Sequence, residues 1–222
     1  TSKGTVGYSW LTGPGHFGTR DNACSQTLAL LCFEVRAGVT EANAKATEHA
    51  ETFDAPPWAW TLHDASQGSN DYGWKPSNIA DGMQAGEAGG YFVRALRTNF
   101  YADTAHVNVS VACPLHAHGR LQFRDTASMD VPLGLGWFAR PASEPTRVLL
   151  GLLIHCCQYG PTIRAVAIDG RAVIAQGDHI DLRIAGDGGT FVLRYDAVAS
   201  ALSLAYNNRT SIADLTGNVD RM

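Results

Sequence analysis

The 222-residue chain is poor in charge: Asp, Glu, Lys and Arg make up 17% of it, against roughly a quarter in an ordinary soluble domain. That shortage argues against long solvent-facing helices, which need a polar flank, and 23 glycines point instead to many short strands and turns. Lys and Arg are scattered, 17 against 21 acids, so the formal net charge is −4 and there is no basic footprint for a phosphate backbone. Nucleic acid is therefore not expected as the main partner. No apolar run approaches the roughly 18 residues of a membrane span. The longest, VLLGLLIHCC at residues 148–157, is too short, so the chain reads as soluble with no membrane span. A GxSxG elbow and a phosphate-binding P-loop are also missing, which leaves nucleophilic and phosphoryl chemistry without a sequence signature.

A regular cysteine framework is missing too. Cys24, Cys32, Cys113, Cys156 and Cys157 are odd in number, and the adjacent last pair would close only a strained ring. Reduced thiols follow, and with them a reducing intracellular or organellar compartment. The chain lacks an initiating Met, so Thr1 reads as a processed N-terminus, a polyprotein junction or an artificial boundary.

What is present is alternation. Residues 1–27 form a Gly-rich arm, with Gly4, Gly7, Gly13, Gly15 and Gly18 beside Pro14, expected as loop or edge strand across the surface. Residues 28–222 read as one β-domain. In LALLCFEVR (28–36), Leu31, Phe33 and Val35 alternate with Cys32, Glu34 and Arg36, the period of a half-buried strand. Thr40 caps an expected short surface helix over EANAKATEHAE (41–51), which Pro56-Pro57 stops. A turn-rich aromatic region follows, with one short strand at 58–62.

Strands are further expected at 91–97, at 104–113 and at 120–125; in the second of these Val107, Val109 and Val111 share a face opposite Asn108 and Ser110. The uninterrupted run VLLGLLIHCC, followed by IRAVAIDG (163–170), suggests central strands buried on both faces. Three alternating runs between Gly177 and Asn208 bring the count to about ten strands, enough for two packed antiparallel sheets.

In that last stretch Gly177-Asp178 precedes an apolar strand at 180–184, and FVLRYD (191–196) and LSLAYNN (202–208) follow after turns. The pattern resembles SPRY-type domains of the concanavalin-like class. The resemblance implies a partner-binding module without catalysis that uses loops at one end of the fold. The expected fold is thus all-β, a two-sheet antiparallel β-sandwich of concanavalin or jelly-roll kind, with one short surface helix.

Two constellations stand out as sites. Trp58, Trp60, Tyr72 and Trp74 gather in one segment, and Trp58 and Trp60 share a face if that run is a strand. Flat rings exposed there would stack on a sugar or on a partner's apolar side chain. Cys113, His116 and His118 offer the N and S ligands zinc takes, although Pro114 and Gly119 point to a turn. A triad from His63, Asp64 and Ser66, or from His155 beside Cys156 and Cys157, has only adjacency behind it, and neighbours on a strand point to opposite faces. Asn108 and Asn208 begin sequons that would carry glycans in a secreted protein.

No catalytic residue and no cofactor is expected. The leading reading is a non-catalytic β-sandwich that works through protein contacts, as an interaction module or a structural subunit of a larger assembly. The alternative is a carbohydrate-binding or carbohydrate-processing sandwich that uses the four aromatic residues.

Overall fold

The computed structural model describes residues 4–10, 27–37, 47–63, 71–77, 86–91, 100–103, 105, 111–123, 133–139, 148–157, 160–169, 172–182 and 189–218. Their regular structure consists of sixteen strands and, among the described residues, no helix. In chain order these are β1 Gly4–Trp10, β2 Thr27–Ala37, β3 Thr47–Glu51, β4 Trp60–His63, β5 Gly73–Lys75, β6 Glu87–Tyr91, β7 Phe100–Asp103 and β8 Leu115–Phe123. The second half has β9 Leu133–Ala139, β10 Val148–Cys157, β11 Gly160–Asp169, β12 Ala172–Gln176, β13 Ile180–Asp181, β14 Gly189–Asp196, β15 Ala201–Tyr206 and β16 Arg209–Asp214.

They build two sheets, antiparallel throughout. The first runs β12-β11-β10-β9-β1-β7-β4, with β13 also on β11; the second runs β16-β15-β14-β8-β2-β6-β5, with β3 also on β2. One large cluster of buried side chains draws on both sheets, with Leu135, Trp137, Leu150 and Leu152 from the first and Leu193, Tyr195, Leu202 and Leu204 from the second. The first sheet is buried on its other face as well, where Phe138, Leu149, Leu153, Val166 and Ile168 form a second cluster with Phe100 and Ala102. This is why residues 149–154 and 165–168 are apolar throughout: both faces of the strands are buried over those stretches. The strands β14 and β15 alternate strictly between buried and open positions, as a sheet with one wet face requires.

Several sequence expectations need correction. The helix over 41–51 does not form: residues 47–51 are β3, paired with β2 from Phe33↔Glu51 to Ala37↔Thr47, and 41–46 lie outside the described residues. Ala, Glu and Lys are good helix formers, but intrinsic propensity is small per residue and cross-strand pairing overrides it here. Residues 4–10 are not an arm over the surface but an interior strand between β9 and β7. Gly119 does not turn the chain, since β8 runs through it; the turn lies at Val111 to Cys113, directly before Pro114. Of the strand expected at 104–113, Val111 to Cys113 form a turn and most of the rest lies outside the described residues, as do 92–97.

The last three strands form two hairpins. Asn207 and Asn208 take positive φ of 44° and 68° between β15 and β16, the geometry of a two-residue turn whose twist suits the flanking strands. In the turn between β14 and β15, the Asp196 carboxylate accepts from the N–H groups of Val198 and Ala199, both at 2.9 Å. No helix among the described residues is long and apolar enough to cross a membrane.

Candidate functional site

The aromatic segment links β4 of the first sheet to β5 of the second through side chains. Its rings connect in series. Phe53 meets Trp60 edge-on with centroids 5.4 Å apart, Trp60 meets Tyr101 of β7 at 5.3 Å, and Tyr101 meets Tyr72 at 5.7 Å. Trp74 of β5 reaches the same group by donating its indole N–H to the Phe53 carbonyl at 2.7 Å. A bridge of rings therefore spans from β4 to β5, in the offset and edge-to-face contacts that ring quadrupoles favour.

Local chemistry holds Phe53 at the centre of this bridge. Its φ of 57° is unusual for a bulky residue, and its amide donates to the Glu51 carboxylate at 3.1 Å. Beside it, Thr52 donates to Asp54 at 2.9 Å. Two glycines of the β6 region make room for the loops: Gly86 at φ +114° lies under the Phe53 carbonyl, and Gly90 at φ +121° under that of Asp71. A Cβ at either would collide with main chain. Burial, and then the Glu51 charge, push the Tyr101 phenol well above its ordinary range, so it stays neutral.

The four expected aromatics thus have different surroundings. Trp58 is 79% exposed, Trp60 and Tyr72 are 6% and 3% exposed, and Trp74 is half-buried. Trp58 and Trp60 do not share a strand face, because β4 begins only at Trp60. A turn carries Trp58, closed by the Trp60 amide donating to Pro57 O at 3.2 Å. Tyr72 donates its hydroxyl to Ala88 O at 3.4 Å, inside the core. Sequence reading missed Phe53 and Tyr101, although both complete the ring series.

His116 and His118 do share one face of β8, with ring centroids 5.5 Å apart, while Cys113 is half-buried in the turn before it. The register sets Arg194 opposite His116, a positive neighbour that opposes a cation. Among the described residues no group of three or more His, Cys, Asp and Glu side chains is placed to hold a metal ion, and these three form no such group. Asp64 and Ser66 lie outside the described residues, as does Asn108; Asn208 is exposed at its hairpin tip.

A polar constellation that sequence reading passed over sits at the opposite edge of the first sheet. Arg164 of β11 approaches His179 Nε2 at 2.9 Å, and His179 Nδ1 lies 2.9 Å from Thr162 Oγ1. A guanidinium has no acceptor, so Nε2 must accept and the proton resides on Nδ1. Thr162 therefore receives from His179 and gives its own proton to His155 O at 3.3 Å. The imidazole cannot serve as a base for the threonine, which removes a nucleophile–base pair here. Its pKa is lowered, chiefly by burial and next by Arg164, against the opposing pull of Asp178 and Asp181. The signal in the sequence was an arginine inside an apolar run, facing a His set among acids.

Comparison of the chain with family models, with curated proteins and with solved structures finds no match.

Proposed function

We propose that the two sheets are the layers of a β-sandwich and that the chain works by protein contact, as an interaction module or a structural subunit. Support for the layered arrangement comes from the shared core and the matching order of strands from β12 and β16 to β4 and β5. The contact reading rests on one observation. Trp58, the largest apolar side chain type, is 79% exposed on a turn leading into β4, the outermost strand of the first sheet among the described residues. Leu62 on β4 is 38% exposed. An open tryptophan beside a sheet edge suits a partner that buries the ring as an anchor. A SPRY-type module would likewise work through loops at one end.

The carbohydrate alternative draws on Trp58 as well, but a sugar platform gains from several open rings, and Trp60 and Tyr72 are taken up by the core. The test is the native mass of the full chain in gentle extracts of its source, by size-exclusion with mass detection, for wild type and Trp58→Ala. A complex well above 23.7 kDa that the variant loses supports the contact reading. A free monomer that retains glycans through Trp58 supports the alternative.

A further inference from the structure

We infer that His179 is an acid-sensitive latch on β11: neutral, it holds Arg164 and Thr162, and protonated, it releases Arg164 and turns to Asp178 and Asp181. The geometry demands an exchange of this kind. Nε2 has one lone pair, and the Arg164 guanidinium occupies it at 2.9 Å. A proton arriving at Nε2 replaces that bond with two donors and two positive charges facing each other. The competing partners are in place, because Asp178 precedes His179 and Asp181 of β13 follows it, and both favour the charged imidazole.

Among the described residues, three segments bring groups to the latch. From β11 come Arg164 and Thr162; from β10, His155 stands opposite Thr162 in register; from the 177–182 segment come Asp178 and Asp181. Arg164 Nε is buried without a hydrogen-bond partner among the described residues, so a released guanidinium gains by moving outward. The backbone does not follow. Gly177 N donates to Ala165 O at 3.0 Å and Leu182 N to Pro161 O at 2.9 Å, and Ile180 and Leu182 are buried. Acid therefore exchanges side-chain partners on a fixed strand and leaves two positive groups where there was one.

The test is a titration of the uniformly ¹⁵N-labelled full chain, reading imidazole and arginine side-chain nitrogens by NMR from about pH 8 to about pH 5, the span in which histidine charge changes. The expected result is an Nδ1–H tautomer for His179 at the upper end and a midpoint below the ordinary value of about 6.5. Arg164 side-chain signals should move with the same midpoint. In Asp181→Asn the midpoint falls, and in Arg164→Gln it rises. An Nε2–H tautomer at neutral pH, a midpoint at or above the ordinary value, or Arg164 signals that ignore the titration would each overturn the latch. The wild-type titration decides by itself if a variant does not fold.

Discussion

Side chains link the two sheets in different ways near β4/β5 and near β12/β16. At the β4/β5 end, rings make the link: Phe53, Trp60, Tyr72 and Tyr101 touch in series, and Trp74 is tied to them by one hydrogen bond. At the β12/β16 end, hydrogen bonds make it. Between its pairing with β12 and with β13, strand β11 leaves Ala165 without a neighbour on that side. The Ser211 hydroxyl of β16 accepts from Ala165 N at 3.1 Å, while Gly177 N caps its carbonyl. Ser211 is 1% exposed, a polar residue at an otherwise apolar inward position, and this bond across the sheets accounts for it. The lesson is that one end depends on volume and the other on direction. A ring cluster tolerates small shifts but not loss of bulk, whereas a single aimed hydroxyl is lost with one atom.

That difference can be broken in order of effect. Trp60→Ala should cost about 3–5 kcal/mol by denaturant unfolding, the usual range for emptying a buried aromatic site. Hydrogen exchange should then rise first in β4 and β7. Ser211→Ala should cost about 1–3 kcal/mol, because Ala165 N–H stays buried without its acceptor. Here the exchange of that amide should rise while β4 is unchanged; if β4 loosens equally, the ends are not independent. Tyr72→Phe removes only a long bond to Ala88 O and should cost about 0.5–1 kcal/mol. Trp58→Ala should lie within about 0.5 kcal/mol of wild type, since the ring is mostly open, and serves to separate partner binding from stability.

Acid gives the smallest effect and distinguishes the ends by sign. His179 has a lowered folded pKa, so the unfolded chain binds more protons below its ordinary value of about 6.5. Its contribution is complete above that pH and declines as the pH falls. The exposed ring makes the loss small, and a thermal-melt series of wild type against His179→Gln should reveal it as a shallower acid slope in the variant. The ring end should show no such dependence, with Tyr101 neutral throughout.

Legibility in the sequence followed how each face is used. The runs at 148–157 and 163–169 announced two buried faces, and β14 with β15 announced one, because apolar period reports burial directly. LGLGWFA of β9 escaped notice because Gly134 and Gly136 take every second position. These two stand opposite Leu153 and Gly151, so a tight strand approach looks like a turn when read as letters. Gly4 and Gly7, three apart in a Gly-rich stretch, likewise obscured β1. At the site, the clustering of Trp58, Trp60, Tyr72 and Trp74 was visible, but which rings open to water was not. Phe53 and Tyr101, which enclose Trp60, come from a loop and a distant strand, and no local spacing encodes that meeting. Ser211 was equally silent, since a serine in an alternating strand carries no mark of the amide it serves.

The position of β1 has a consequence for how the chain is made. Of the described strands it is synthesised before the rest, yet its two neighbours, β7 and β9, come much later in the chain, and its paired residues wait for their partners until then. The hairpins of β14, β15 and β16 need no such delay, since each finds its neighbour within a few residues. Completion of the first sheet is therefore a late, long-range closure, of the sort that places β-proteins in the millisecond-to-second range of folding. Holding factors that shield unpaired β1 during translation should raise the yield of this chain more than any change to strands β14 to β16.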